Sequence, residues 1–263
     1  MGSPIDDVAF VARSETRASI LQTLAERPHE RRDLATVTGT PRSTLGRTLR
    51  ELEERGWIEQ NGRIYNITTA GSLLVEQFVP LLDTITVVQL LGDAIELLPR
   101  EETDLTVKDF ADAQFVTPTK MDPIAPFNYG IKKLHESTQF RCVARTATPQ
   151  YVAAIHEGVV TGRFTAECVL DASYLEALGD DQESTGRWQE IAEGSSTVRE
   201  YDEPIGFVLL VLDEIVHLFL CNENGETQGL LESTTPAVVS WANDTVDRYL
   251  ERSTGIDWNE ASS

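Results

Sequence analysis

The sequence predicts an α+β fold, in which a small, mainly helical N-terminal part precedes a larger part that mixes helices and strands. Three observations support this prediction. Residues 10–70 combine helical periodicity with a single hairpin pattern, residues 73–99 form a long apolar run at helical spacing, and residues 105–252 alternate strand and helix patterns. With 263 residues, of which 41% are hydrophobic, the chain can form two domains with buried cores.

We therefore divide the chain into four parts. Residues 1–71 are expected to form the N-terminal domain, and residues 72–104 a linker and dimerisation helix. Residues 105–252 are expected to form an α/β sandwich around a mixed sheet, and residues 253–263 a tail.

Two helices begin the chain. The pattern predicts a short helix over residues 5–11 and a second helix over residues 15–26, for which Ser14 supplies the N-cap hydroxyl. Pro28 ends the second helix because proline cannot continue it, and His29 is expected in a solvated turn.

A helix, a tight turn and another helix follow. Residues 32–38 predict a short helix that ends at Gly39. Thr40 is expected to cap the next helix, with Pro41 at its first position. One apolar stripe of this second helix is expected to face the core, and its members are Leu45, Leu49 and Leu52.

A hairpin pattern comes after Gly56. Residues 57–60 and 63–67 flank Asn61-Gly62, a dipeptide that favours the two-residue type I′ turn. In that register Ile58 is expected to pair with Tyr65.

A helix-turn-helix followed by such a hairpin resembles the winged helix-turn-helix of transcriptional regulators, and SETRASILQTLAER (residues 14–27) resembles the first helix of many archaeal members. In that family the second helix of the motif lies in the major groove of DNA, and the wing touches the adjacent backbone or minor groove. The resemblance implies double-stranded DNA as a partner and a sequence-specific regulatory role.

The face opposite the leucine stripe has residue types that bind DNA. It carries arginines, small hydroxyl residues and a glycine, with no acid before Glu51. Arginine can bond a guanine edge or a phosphate. One alternative is a helix whose basic face is only solvated. Another is a degenerate helix-turn-helix that serves as a structural or protein-interaction module without binding DNA. The candidate base-reading residues are Arg42, Ser43 and Arg47, the candidate phosphate-binding residues are Arg31, Arg50 and Arg63, and Arg32, Thr44, Gly46 and Asn61 complete the DNA-binding set.

The charge is unevenly distributed. The net charge is −21, but residues 1–71 carry ten arginines and ten acids, so the whole acidic excess lies in the rest of the chain. The chain has four lysines, Lys108, Lys120, Lys132 and Lys133. This acidic, lysine-poor composition resembles proteins of salt-in halophilic archaea, where a Debye length of roughly 3 Å at 1 M salt screens repulsion from DNA. An ordinary acidic mesophilic protein is the alternative.

The apolar run from Leu73 to Pro99 predicts a long helix with a kink or break at Pro80. A helix this apolar must pack against something, either the second domain or a second copy of the chain. We expect it to contribute to both, so that a homodimer presents two DNA-binding helices to two half-sites.

The remaining sequence predicts alternating elements. Residues 110–116 lead into a proline-rich loop at residues 117–127. The predicted strands are residues 139–144, 164–170, 197–201, 207–212, 215–220 and an edge strand at 230–232, and the predicted helices are residues 128–137, 146–162, 174–178, 187–192 and 236–251. The phrases VTPTKMDPIAPF, TATP and EPIGFVLLVLDEIVHLFL resemble the ligand-sensing domain of archaeal regulators of the methanogenesis-regulator type, which is distantly related to the phospholipase-D-like fold. This resemblance implies an effector-binding role without naming the ligand.

Residues after the first strand of that domain and in its proline-rich loop suggest an effector site. Arg145 and Lys120 suit a small anionic metabolite, with Thr146 and Asp122 beside them. The alternative is that Arg145 pairs with one of the many surface acids.

No catalytic motif is present in the sequence. Phospholipase-D-like catalysis needs histidine followed two positions later by lysine, and none of His135, His156 and His217 fits. Gly-rich phosphate loops and spaced metal ligands are also absent from the sequence, so we expect no enzyme activity, metal or cofactor.

The cysteines and the hydropathy pattern complete the prediction. Cys142, Cys168 and Cys221 lie singly in strand-like runs, which favours buried small hydrophobes over a redox role. Without a signal peptide or an apolar run near 18 residues, we expect a cytoplasmic protein that does not enter membranes.

Overall fold

The computed structural model describes residues 3–178, 181–222 and 225–258, and the chain divides into two compact units, residues 1–82 and 83–263. The mixture of helices with a large mixed sheet confirms the predicted α+β class.

The first unit consists of helices and a small antiparallel sheet of order β1-β3-β2. The helices are α1 (Pro4–Ala12), α2 (Glu15–Glu26), α3 (Arg31–Val37), α4 (Arg42–Glu54) and the first part of α5 (Thr69–Leu91), and the strands are β1 (His29–Glu30), β2 (Ile58–Asn61) and β3 (Ile64–Ile67). The leucine stripe of α4 is fully buried, as predicted, and the Ser14 hydroxyl accepts a hydrogen bond from the Arg17 amide at the start of α2, as predicted.

Two predictions about α4 and the wing are wrong by one or two residues. Thr40 does not cap α4, which begins at Arg42, because the Thr40 hydroxyl instead accepts a hydrogen bond from Thr38 Oγ1 at 2.7 Å. The wing turn is centred on Gly62 and Arg63, with Gly62 at φ +65°, because Asn61 is still paired with Ile64.

The shifted turn changes the register of the wing. Ile58 pairs with Ile67, and Tyr65 pairs with Gln60 on one strand and with His29 on the other. His29 is therefore a buried residue of β1, contrary to the predicted solvated turn, because the third strand of this sheet comes from a segment distant in sequence.

The second unit is built on an eight-stranded sheet of order β11-β7-β6-β5-β8-β9-β10-β4. β5, β6 and β7 are parallel to one another, and the other pairs are antiparallel. The strands are β4 (Gln114–Val116), β5 (Phe140–Ala144), β6 (Ala166–Asp171), β7 (Thr197–Tyr201), β8 (Val208–Leu212), β9 (Ile215–Cys221), β10 (Thr227–Ser233) and β11 (Thr254–Gly255).

Helices cover both faces of this sheet, which confirms the predicted sandwich around a mixed sheet. Alternate residues of β5 show the two layers, since Cys142 packs with α6, α7 and α9 whereas Val143 packs with α10. The helices are α6 (Ala125–Glu136), α7 (Pro149–Val160), α8 (Ala172–Leu178), α9 (Gln182–Glu193) and α10 (Pro236–Arg252), and short 3₁₀ helices lie at Gly92–Leu97, Arg100–Glu102 and Val107–Phe110.

Two sheet predictions need correction. The strand around Leu230 is not an edge, because β4 pairs with its outer side through Leu230 and Val116. The expected tail contains β11, which pairs with β7, and residues 259–263 lie outside the described part of the chain.

The helix α5 continues through Pro80, so the predicted break does not occur there. Phe78 on one side of the proline is buried in the first core, and Val87 on the other side is buried in the second. The helical stretch of residues 69–97 is long and apolar enough to cross a membrane, by length and composition only, whereas the sequence analysis expected no such run. Core helices of soluble proteins meet the same criterion.

Candidate nucleic-acid interface

The outer face of α4 is open to solvent. Five of the predicted DNA-binding residues on this helix are exposed: Arg42, Ser43, Thr44, Arg47 and Arg50. The sixth, Gly46, is half-buried. The leucine stripe on the opposite face holds the helix against α2, so these side chains are presented by a buried scaffold.

Four arginines line one depression in the first unit, and we call this set the arginine surface: Arg31, Arg32, Arg42 and Arg63. They come from the start of α3, the start of α4 and the wing turn. Glu30 is the one acid among the residues that line the depression. The arginine surface is therefore a concentrated positive region in a unit whose sequence is close to neutral.

Arg31 crosses from α3 to α4. Its Nη2 donates a hydrogen bond to the Arg42 carbonyl oxygen at 3.1 Å. A Cβ placed on Gly46 would lie 2.2 Å from the same Nη2, so the missing side chain at position 46 makes room for the guanidinium. The sequence placed Gly46 in the candidate set but did not show this reason for it.

Arg47 is held by a carboxylate. Its Nε donates to Glu51 Oε1 at 2.9 Å, and Arg17 Nη2 donates to the other oxygen of the same carboxylate at 2.9 Å. These hydrogen bonds, first from Arg47 and then from Arg17, lower the pKa of Glu51. Glu51 therefore stays ionised and orients Arg47, whose side chain is 82% exposed. Sequence reasoning used Glu51 only as the limit of the basic face.

The wing places its two predicted residues differently. Arg63 is exposed at the turn and belongs to the arginine surface. Asn61 turns back along its own strand, because its Nδ2 donates to Glu59 Oε1 at 3.0 Å. Arg63 is thus the wing residue better placed to reach a partner.

The four predicted effector residues do not form one site. Asp122 accepts hydrogen bonds from the Ile124 amide and from Asn128 at the start of α6, and Lys120 is exposed. Arg145 is half-buried and donates its backbone N–H to the Phe207 carbonyl. Of the four, Thr146 alone lines a mainly apolar cavity beside the carboxyl end of β5.

That cavity has a volume of about 210 Å³. Its lining side chains are mainly apolar and include Tyr151, Trp188 and Phe219. Sequence reasoning missed the cavity because its residues come from separate strands and helices, and each one looks like an ordinary core residue. Within the described residues, no cluster of three or more His, Cys, Asp or Glu could hold a metal ion.

Two family models match the chain. Residues 5–89 match the HVO_A0261 N-terminal domain, which includes the winged helix-turn-helix and most of α5. Residues 123–252 match the middle domain of the methanogenesis regulatory protein FilR1, which runs from the start of α6 to the end of α10. No curated protein matches the chain.

Solved structures give weaker similarities. TrmBL2, described as an archaeal chromatin protein with a novel mode of DNA binding, is 16% identical with a TM-score of 0.44, over 97% of this chain and 100% of that one. NucT from Helicobacter pylori is 15% identical with a TM-score of 0.45, over 55% of this chain and 98% of that one. Nuc from Salmonella typhimurium, a phospholipase D family member, is 12% identical with a TM-score of 0.44, over 55% of this chain and 97% of that one.

The class of the protein follows from the two family matches and their order along the chain. It is an archaeal transcription regulator with an N-terminal winged helix-turn-helix and a C-terminal regulatory domain. Within that class, its N-terminal part is of the HVO_A0261 type and its C-terminal part is of the FilR1 middle-domain type.

Proposed function

We propose that this regulator binds double-stranded DNA sequence-specifically as a homodimer in the cytoplasm and responds to an effector. The observation that carries the proposal is the arginine surface, where Arg31, Arg32, Arg42 and Arg63 converge beside the exposed face of α4. Cationic side chains from a helix and a wing can contact both a groove and its phosphates. The match to a regulatory-protein domain supports the same function.

The position of each residue in the interface decides whether it contacts a base edge or a phosphate. Arg42 and Ser43 lie in the first turn of α4, which is the part of such a helix that contacts base edges. Arg47, one turn further on and oriented by Glu51, is the third base-reading residue. Arg31, Arg50 and Arg63 bind phosphates, with Arg31 keeping its contact to α4.

The homodimer rests on the exposed apolar face of α5. Leu81, Ile85 and Val88 follow one another at i, i+4 and i+7, so they share one side of the helix, and each is more than 40% exposed. A second copy of the chain would bury this stripe and place two copies of α4 on two half-sites.

A DNA-binding titration tests the function directly. Genomic fragments that the chain selects are labelled, and anisotropy is measured for the best fragment and for an unrelated duplex of equal length, from about 0.2 to 2 M KCl. We expect Arg42→Ala to weaken binding to the selected duplex by roughly 5-fold to 150-fold and to relax the preference between the two.

A second substitution and a control separate base reading from phosphate binding. Arg63→Ala should weaken both duplexes equally and reduce the slope of affinity against salt by about one. Arg13→Ala removes the same charge at an exposed residue outside the arginine surface and should leave binding unchanged. Failure to select any fragment, together with retention of a protein partner, would favour the protein-interaction alternative.

A further inference from the structure

The cavity of the second unit lies where the sheet changes from parallel to antiparallel pairing. β5 pairs in parallel with β6 on one side and antiparallel with β8 on the other. Residues after the carboxyl end of β5 line the cavity, up to Thr148, the residue that caps α7. The path of the chain along the sheet also reverses here, because β6 and β7 lie on one side of β5 and β8 lies on the other. Ligand sites in α/β folds commonly occur at the carboxyl ends of strands where the strand order reverses in this way.

The cavity is large enough for a small molecule, since it measures about 210 Å³. An apolar cavity of roughly 150 Å³ is large enough for benzene. Two lining residues, Thr146 and Gly225, are exposed to solvent, so a small molecule has a route of entry.

The lining excludes a charged ligand. None of its described residues carries a charge, and its polar groups are threonine hydroxyls, two thiols and two aromatic polar groups. The Trp188 Nε1–H already donates to the Tyr174 hydroxyl at 3.2 Å. Burying an anion without a cation or sufficient hydrogen bonds is strongly unfavourable.

The walls of the cavity suit a planar ring. Phe127 and Phe219 are stacked at 5.4 Å between centroids, and Tyr151 meets Phe219 edge-on at 5.8 Å. The Tyr151 hydroxyl is packed on α6, since a Cβ on Gly130 would lie 1.8 Å from it, so the ring of Tyr151 forms the wall. Burial also raises the pKa of Tyr151, which keeps the side chain uncharged.

We propose that this cavity binds a small, uncharged, one-ring aromatic molecule, and that this molecule is the effector of the regulator. The effector role rests on the proposed function, whereas the binding site does not. The proposal replaces the anionic metabolite expected from Lys120 and Arg145, because neither residue lines the cavity.

Acetophenone and benzoate test the ligand class, because they have similar size and shape and differ in charge. Binding to the full chain, without DNA, is measured by ligand-observed NMR and by the shift in the unfolding midpoint. We expect acetophenone to bind at least about tenfold more tightly than benzoate, since only the anion must lose its hydration without compensation. Equal binding of the two, or no binding of acetophenone, would overturn the proposal.

Substitutions then locate the site. Ala144→Leu fills the cavity from its wall and should abolish acetophenone binding, whereas Val143→Leu adds volume on the opposite face of the same strand and should not. If Ala144→Leu does not fold, Thr146→Phe narrows the exposed rim instead. Acetophenone should also slow alkylation of the half-buried Cys221 in the unsubstituted chain, and unchanged alkylation would place the ligand elsewhere.

The effector role is tested separately, by measuring the affinity for DNA with and without acetophenone. A change in DNA affinity that is lost in the cavity-filled variant supports it. Acetophenone binding with unchanged DNA affinity overturns the effector role but leaves the site. Acetophenone binding by a chain that never binds DNA overturns the proposed function, not the binding site.

Discussion

Gly46 shows how a missing side chain can position a charged one. The guanidinium of Arg31 occupies the space that a Cβ at position 46 would take, and from there it bonds the Arg42 carbonyl. The contact fixes a cation from α3 at the start of α4. Gly46 therefore affects the interface through Arg31, without needing to touch DNA itself.

Gly46→Ala should separate helix stability from DNA binding. Alanine favours a helix interior by about 1 kcal/mol over glycine, so the unfolding midpoint should stay level or rise. DNA affinity should fall several-fold because Arg31 is displaced. In a double-mutant cycle, adding Gly46→Ala to Arg31→Ala should cause no further loss of affinity, and an additive loss would show that the two residues act independently.

Asp171 joins the end of β6 to a distant loop. One of its carboxylate oxygens accepts the Ile205 N–H at 2.7 Å, and the other accepts the amide and hydroxyl of Ser173. Burial opposes ionisation of this carboxyl, but the hydrogen bonds from Ile205 and Ser173 outweigh it and lower the pKa of Asp171.

Asp171→Asn should destabilise the fold by about 1–3 kcal/mol at neutral pH, because an amide N–H₂ then faces a backbone or hydroxyl donor. A carboxyl whose pKa is lower in the folded state adds stability above its ordinary pKa of 3.8, and this is lost as the pH falls through the folded value. The difference between wild type and variant in urea unfolding should therefore shrink below about pH 4. Asp244→Asn, at an exposed residue, should show no such difference at neutral pH.

At the scale of elements, α5 is unusual because it is apolar, long and only partly buried. Phe78 and Val87 anchor it in the cores of the two units, whereas Leu81, Ile85 and Val88 face outward. Burial of such a stripe by a second copy would remove it from water at a benefit of about 25 cal/mol per Å² of apolar surface.

Replacing Ile85 and Val88 together by glutamine should convert the proposed dimer to a monomer. Light scattering at micromolar concentration measures the mass, and Gln89→Ala on the same helix should leave the dimer intact because Gln89 is already polar and exposed. A wild-type chain that is monomeric and sediments with lipid vesicles would instead indicate that α5 contacts a membrane.

Periodicity and turn residues in the sequence correctly predicted those helices and strands whose positions are determined by nearby residues. The leucine stripe of α4 and the bounds of β7 agree with the sequence prediction, because periodicity and turn residues determine them. The predictions of a solvated turn at His29 and of an edge strand around Leu230 were wrong. Both segments pair with strands that only the tertiary structure brings to them, β3 and β4. Likewise, the sequence pattern was enough to identify the arginines of α4 as candidate DNA-binding residues. The cavity could not be predicted in this way, because its lining residues come together only when the sheet folds.

At the scale of the whole molecule, charge is the dominant property. The net charge of −21 belongs to the residues after the winged helix-turn-helix, so the compact second unit concentrates like charges on its surface. Self-repulsion of this kind destabilises the folded state at low ionic strength.

The unfolding midpoint should therefore be higher in about 2–3 M KCl than in dilute buffer, because salt screens that repulsion. Calorimetry at neutral pH measures the difference. Near pH 4.5, the isoelectric point of the sequence, the effect of salt should shrink, since little net charge is left to screen. An identical midpoint in both buffers at neutral pH would contradict the halophilic interpretation.

The close approach of Tyr151 to Gly130 has a consequence for how this sequence can change over generations. A methyl group at position 130 would overlap the phenol oxygen at 1.8 Å but would stand 3.1 Å from the ring carbon that bears it. Replacing Tyr151 by phenylalanine first removes the overlap and leaves tight contacts with the ring carbon and, at 3.3 Å, with Leu230 Cδ1, which shifts of a few tenths of an ångström can relieve. The reverse order passes through a clashing intermediate. The residue tolerated at position 130 therefore depends on the residue at position 151, and the two substitutions have a favoured order. Lineages that diverge from this chain should lose the Tyr151 hydroxyl before they gain a methyl group at position 130.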